Sequence, residues 1–212
     1  MFYELTNEEI ELFKKIGQIK NYDKDAILFY ENEKANNFYI ILSGLAKGGI
    51  FENKREKIFH YFFPKMFIGE ISFLEEKNYA LSAKFVTSGK AVVISRTSLN
   101  NSNFSKDELN KIFQRAMISK VRFLQRTIST ITSVNTKVKC AMFLLEHKTY
   151  LQYISITEMS SLLNITRESV SRAISFFIEY KAIKKNKNEI IILNEEFLET
   201  FIKFQENDLE FI

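Results

Sequence analysis

The chain has 212 residues, enough for one or two domains, and 46% of them are hydrophobic, enough for ordinary cores. A net charge of +4 permits nucleic-acid binding without arguing for it, because local clustering of charge matters more than its sum. Cys140 is the only cysteine, which excludes an intramolecular disulfide and a four-cysteine iron–sulfur cluster and fits a reducing cytosol. The start, Met1 to Glu9, lacks the basic segment and apolar run of a signal peptide, and no apolar stretch approaches the roughly 18 residues of a membrane span. A cytoplasmic protein without a membrane partner is predicted.

Thr6, followed three residues later by Glu9, forms a capping-box pattern, and Ile10, Phe13 and Ile16 give the apolar stripe of a short helix within residues 1–20, with Gly17 as its stop. From Ala26 to Arg96 the period becomes that of strands. The runs Ala26–Tyr30, Phe38–Leu42, Lys57–Phe62 and Lys90–Ile94 are short and rich in β-branched or aromatic residues. Turn-type segments separate them: Glu31-Asn32-Glu33, Ser43-Gly44, Glu52-Asn53-Lys54, Pro64-Lys65 and Ser88-Gly89. This spacing predicts a small β-barrel, roll or sandwich. Gly48-Gly49 reads as a further turn signal, not as a phosphate loop.

A helical period follows from Lys106 to Thr132. Phe113, Met117, Val121, Leu124, Ile128 and Ile131 recur at steps of four, four, three, four and three, which resembles a heptad seam. Such a stripe packs either on its own domain or on a second copy of the helix. The length of the segment, with no second apolar face, favours the dimer. Ser133 to Thr136 breaks the pattern and supplies an N-cap in Asn135 or Thr136 for a helix carrying Val138, Ala141, Met142, Leu144 and Leu145.

Residues 155–180 form the pattern of a helix-turn-helix. Ser155 and Glu158 make a second capping box, and Met159, Leu162 and Leu163 are the buried side of a short helix. Asn164-Ile165-Thr166 is the turn, with Asn164 suited to the left-handed conformation. Val170, Ala173, Ile174 and Phe177 are the inner face of the second helix. Its outer face carries Arg167, Glu168, Ser171 and Arg172, residue types that reach base edges: Arg pairs with guanine, and Glu accepts from the cytosine amino group. Thr166 and Ser169 near the helix start suit a phosphate. A solvated helix is the blander reading, and the short first helix, tight turn and early cluster of basic groups weigh against it. Lys181 to Leu193 alternates into a hairpin, or wing, whose Lys184, Lys185 and Lys187 suit the DNA backbone. A final helix holds Phe197, Leu198, Phe201 and Phe204.

The stretch Ile165-Thr166-Arg167-Glu168-Ser169-Val170-Ser171-Arg172 resembles the recognition-helix start of the Crp–Fnr family of bacterial transcription regulators, and the resemblance spans nearly the whole chain. Tyr39-Ile40-Ile41-Leu42-Ser43-Gly44 and Phe67-Ile68-Gly69-Glu70-Ile71-Ser72-Phe73-Leu74 resemble that family's strand-and-glycine element and phosphate-binding cassette. The resemblance implies an α+β chain: a jelly-roll-like double-stranded β-roll for sensing over residues 1–104, a dimerisation helix and hinge over 105–134, and a winged helix-turn-helix over 135–212. It implies a homodimer on a pseudo-palindromic site, with double-stranded DNA and RNA polymerase as partners. Phe113, Met117, Val121, Leu124 and Ile128 would form the dimer helix.

For the effector the departures weigh more. Gly69, Glu70 and Ser82 match the family's pocket, but the slot of the Arg that neutralises a cyclic phosphate holds Ala80 or Leu81. A buried phosphate without a cation is unfavourable. Lys84 would substitute only after a register slip that also flips its face. Weak or no binding of cyclic AMP or cyclic GMP is therefore expected, and the effector is an unknown small molecule. Asn32 stands where a glycine is expected. The cysteine cluster of the oxygen-sensing branch is absent from the N-terminus. Haem on His60 is the lesser reading, since a lone histidine is more often a packed residue than a ligand, and no metal site is expected. Cys140 reads as a small core residue. A regulator is thus expected and not an enzyme: no paired carboxylates, metal-spaced His/Cys set or nucleophile elbow stands out. The alternative is a small-molecule or haem-binding signalling module with weak DNA binding.

Overall fold

The short apolar runs between Ala26 and Arg96 are strands, as expected, but the roll has more strands than those runs mark. The computed structural model describes residues 4–52, 55–102, 104–132, 135–186 and 189–207. The expected turn at Asn53-Lys54, the break at Ser133-Val134 and the wing residue Lys187 lie outside them. The protein mixes helix and sheet in two units, one ending at Phe123 and one beginning at Leu124, so the division falls inside the long helix and not at either end of it.

In the first unit, α1 (Asn7–Ile16) opens with the predicted reciprocal Thr6–Glu9 capping box. Gly17 ends it in an extended conformation, and what demands glycine there is space: a Cβ would lie 2.4 Å from Val92. Eight strands follow: β1 (Gln18–Tyr22), β2 (Ile27–Phe29), β3 (Asn37–Ser43), β4 (Ala46–Glu52), β5 (Arg55–Phe62), β6 (Phe67–Ile68), β7 (Ser82–Phe85) and β8 (Gly89–Ser95). Short helices α2 (Glu70–Leu74) and α3 (Arg96–Asn100) interrupt and follow them. Two four-stranded antiparallel sheets result, ordered β1-β8-β3-β6 and β2-β7-β4-β5. Gly48-Gly49 is not a turn. The pair lies inside β4, at a register shift against β5, where a Cβ on Gly49 would meet the Lys57 carbonyl oxygen at 2.2 Å. A bulge gives glycine within a strand its use, which a turn reading misses.

The roll's core is aromatic. Phe13 of α1, Phe38 of β3, Phe67 of β6 and Phe113 pack with ring centroids 5.4–6.5 Å apart, mostly edge-on or tilted. Phe113 belongs to α4 (Lys106–Thr132), whose Ile112, Phe113 and Ala116 join this core. Phe113 is therefore not part of an exposed seam: it is only 7% exposed and covered by its own roll. Further along α4 the apolar stripe is open. Ile118, Val121, Leu124 and Ile128 are 54–60% exposed, and Met117 is half-buried.

The second unit holds the end of α4, then α5 (Thr136–Glu146), a 3₁₀ turn (Leu151–Tyr153), α6 (Ile156–Leu163), α7 (Arg167–Glu179), the hairpin β9 (Ile183–Asn186) and β10 (Glu189–Ile192), and α8 (Glu195–Asn207). Of the two cap candidates, Asn135 caps α5, accepting from the amides of Lys137 and Val138, and Thr136 is the helix's first residue. The buried faces of α5, α6, α7 and α8 supply Val138, Leu144, Leu163, Val170, Phe177 and Leu198. Cys140 is fully buried and burial pushes its thiol up to about 12, so it is a neutral core group. Among the described residues no helix is long and apolar enough to cross a membrane.

Removing Phe113 should leave a cavity among three other rings. Phe113→Ala is expected to cost the first unit about 3–5 kcal/mol. Val121→Ala, at a position already in water, should cost well under about 1 kcal/mol in dilute protein. Urea unfolding of both variants measures the difference.

Candidate nucleic-acid interface

The helix-turn-helix is set by its caps. Ser155 and Glu158 form the reciprocal box that opens α6. Asn164 closes α6 in the left-handed conformation, at φ 52° and ψ 47°, and its amide donates back to the α6 carbonyls. The Ile165 amide donates to Ser160, so the chain reverses with its polar groups satisfied. Thr166 then caps α7 by accepting from the Ser169 amide at 3.2 Å. With Val170, Ala173, Ile174 and Phe177 buried, the 3.6-residue period turns Arg167, Glu168, Ser171, Arg172 and Ser175 outward. They line one open groove of about 790 Å³.

The four residues predicted to read bases are thus brought together on one exposed face. The Thr166 and Ser169 hydroxyls lie 3.0 Å apart, and Arg172 donates to the Ser169 oxygen at 3.2 Å, so the predicted phosphate pair also steadies Arg172. Hydrogen bonds from its own amide and from the Thr166 side chain hold the Glu168 carboxyl below the usual carboxylate range. An ionised Glu168 repels phosphate and accepts hydrogen bonds only, which suits a base amino group. The groove also contains Lys137 of α5, which the sequence pattern did not single out.

The wing lysines separate. Lys184 pairs in register with exposed Ile191, whereas Lys185 pairs with buried Ile190, so the two project to opposite faces of the hairpin while both remain exposed.

In the roll, the polar pocket candidates Glu70 and Ser82 each have an internal partner, although the second oxygen of Glu70, Oε2, is buried without a hydrogen bond among the described residues. Gly69 sits at φ +81° ahead of α2, and a Cβ there would meet the Tyr79 ring at 2.9 Å and the Phe29 ring at 3.3 Å. Glu70 is fully buried, and Lys120 of α4 donates to its Oε1. Lys120 also reaches the Phe67 carbonyl at 3.3 Å and lies over the Phe62 ring. The Ser82 hydroxyl accepts from the Glu31 amide at 2.9 Å. Leu81 packs on the core over Gly48, filling with hydrocarbon the neighbourhood where a phosphate cation is expected. Lys84 pairs with Glu56, which also binds Lys47 directly across the β4–β7 ladder. Asn32 takes the left-handed conformation, at φ 66°, that suits it to a glycine's place.

His60 stands between the rings of Phe62 and Phe123, at 4.6 and 4.5 Å, beside a cavity of about 20 Å³. That volume holds about one water and has no room for a porphyrin. Burial pushes the His147 imidazole down to about 4, with its Nδ1 against the Phe143 carbonyl. Among the described residues no cluster of three His, Cys, Asp or Glu is placed to hold a metal ion.

Magnitudes separate these ion pairs. Lys148–Glu195 is half exposed and contributes at most about 1 kcal/mol. Lys120→Met leaves a buried carboxylate without its cation, which is expected to cost about 3–5 kcal/mol. Adding Glu70→Gln removes the charge and should recover part of that loss. A denaturant-unfolding cycle over the two single variants and the double variant measures the coupling.

The cyclic nucleotide-binding domain matches residues 19–102, and the Crp-like helix-turn-helix domain matches residues 138–201. An anaerobic regulatory protein from Bacillus subtilis is 27% identical over 126 residues, 58% of this chain, and the match spans about half of that protein's length, 53%. FixK2 from Bradyrhizobium japonicum has the same fold, with a TM-score of 0.74 at 18% identity over 87% of this chain and 96% of its own. A CRP/FNR-family regulator from Thermus thermophilus gives 0.69 at 16% identity, over 88% of this chain and 98% of its own. The c-di-GMP-responsive global regulator CLP from Xanthomonas campestris gives 0.66 at 17%, over 86% and 97%. With a sensor-type roll, a helix-turn-helix and a domain match over each, the chain belongs to the Crp–Fnr family of DNA-binding transcription regulators.

Proposed function

We propose that this regulator acts as a homodimer on a pseudo-palindromic operator and reads bases through Arg167, Glu168, Ser171 and Arg172. The observation that carries this is their common exposure in one groove along α7, beside a wing bearing Lys184 and Lys185. Arg167 makes no ion pair among the described residues and is free to pair with guanine. Thr166, Ser169 and the wing lysines hold the backbone. The open stripe Ile118, Val121, Leu124 and Ile128 supports pairing of α4 with its copy, since isolated exposed residues are ordinary but four in helical register are not. Two half-sites about one helical turn apart would then meet two copies of α7. Contact with RNA polymerase belongs to this proposal.

The roll is proposed to bias the spacing of the two recognition helices by population shift, in response to something other than a cyclic nucleotide held in the standard way. The support is the commitment of Glu70 to Lys120, of Ser82 to the Glu31 amide and of Lys84 to Glu56. A cyclic nucleotide would have to draw Glu70 or Lys84 out of those ion pairs, and its phosphate would find Leu81 in place of a cation.

Selection from a randomised duplex library should return a two-fold-related sequence. On that duplex, Arg167→Ala and Arg172→Ala should each lose about 1–3 kcal/mol per half-site, roughly 5- to 160-fold in affinity for each half-site, by fluorescence anisotropy. Parent-like affinity in both would overturn the reading face. A flat response to sequence and salt would favour a signalling module with weak DNA binding. Calorimetric titration with cyclic AMP should give no binding heat, and micromolar binding would refute the roll's part of the proposal.

A further inference from the structure

One cation in the groove beside α7 comes from neither the recognition helix nor the wing. Lys137, in the first turn of α5, is exposed, and its ammonium makes no hydrogen bond or ion pair among the described residues. Its Nζ stands 3.8 Å from the centroid of the Phe176 ring, one turn along α7 from Arg172. It lines the same groove as Arg167, Ser171 and Arg172.

The choice of partner matters. A carboxylate would hold a lysine in place but neutralise it. An aromatic face attracts the ammonium through its quadrupole and leaves the full positive charge available. The ring also restricts a long, flexible side chain, so less freedom is lost when an anion arrives. Phe176 is itself fixed, since it packs on Phe177, Tyr180 and Phe201. Local electrostatics do not ask for this cation. The other helices of the unit that start within it, α6, α7 and α8, open with Glu158, Glu168 and Glu195, whereas α5 has no acidic residue in its first turn. A lysine there opposes the helix dipole until an anion answers it.

We propose that Lys137 binds a backbone phosphate of the double-stranded DNA that α7 reads, with Phe176 as the platform that positions it. This rests on α7 being the recognition helix. The interaction carries no base information, so it sets affinity and salt dependence without altering sequence preference.

The test uses the full chain, the duplex obtained by selection and a scrambled duplex of equal length, by anisotropy from about 50 to about 200 mM salt. Lys137→Met keeps the stem against Phe176 and removes the charge. It should weaken both duplexes by the same factor, about 3- to 10-fold per half-site, and make the slope of log affinity against log salt shallower by about 1.8, that is about 0.9 for each of the two phosphates, one per subunit of the dimer, that are no longer neutralised. Lys137→Arg should restore both quantities. Arg167→Ala, run in parallel, should weaken the selected duplex alone. If Arg167→Ala does so while Lys137→Met leaves affinity and slope unchanged, the role of Lys137 is overturned and the reading helix stands. If Lys137→Met lowers the thermal midpoint with the slope unchanged, Lys137 merely pins α5 to α7, and the proposal is equally overturned. If Arg167→Ala has no effect on either duplex, the reading of α7 itself has failed.

Discussion

A carboxylate taken wholly out of water must be answered by a cation, and in this protein the answer to Glu70 comes from α4. The Born cost of burying such a charge is several kcal/mol even after relaxation, and only a close, well-placed partner offsets it. Lys120 meets that demand from within the roll's own unit, and the Phe62 ring beneath it and the Phe67 carbonyl beside it complete its setting. The same helix that buries Ile112, Phe113 and Ala116 in the aromatic core also supplies the cation for Glu70, one of the residues that the sequence offers as an effector-pocket candidate. Leu81, Ser82 and Lys84 follow the same logic, each satisfied by apolar packing, a backbone amide or a carboxylate.

The DNA-binding unit is arranged in the opposite way. The outward cations of its groove, Lys137, Arg167 and Arg172, are left without carboxylate partners among the described residues, while its polar caps fix geometry. Asn164 in the left-handed region reverses the chain, and Thr166 and Ser169 order the first turn of α7 and steady Arg172. Exposed charges in water cost little to leave unpaired, whereas an unpaired buried one is strongly destabilising. That difference lets one chain keep the ion pairs of its roll internal and leave the groove along α7 electrostatically open.

Much of this was legible in the residues. The capping boxes at Thr6 and Ser155, the left-handed Asn164 and the inner face of α7 depend on interactions within three or four residues and follow from spacing alone, whereas spacing left the α5 cap between Asn135 and Thr136. The outward face of α7 follows from the same local period. The strands β1, β4, β6 and β7 escaped notice because β1 and β4 carry Lys, Asn and Gly, and β6 and β7 have only two and four residues. What makes them strands is the neighbour that pairs with them. Gly48-Gly49 misled for the same reason, since a bulge is defined by the opposing strand.

The sequence by itself determined the helix ends, the helix-turn-helix, the outward face of α7 and the lack of an arginine at Ala80 and Leu81, because these depend on residue type and short-range period. Tertiary structure alone decided which apolar residues of α4 join the roll and which remain open. Phe113 and Val121 share one stripe by spacing, but the rings of Phe13, Phe38 and Phe67 close over the first, and the second stays 55% exposed. It also decided that Lys120 answers Glu70 and that Lys137 stands over Phe176. Those pairs join residues 50 and 39 positions apart, and no local pattern encodes an interaction made only when distant segments pack.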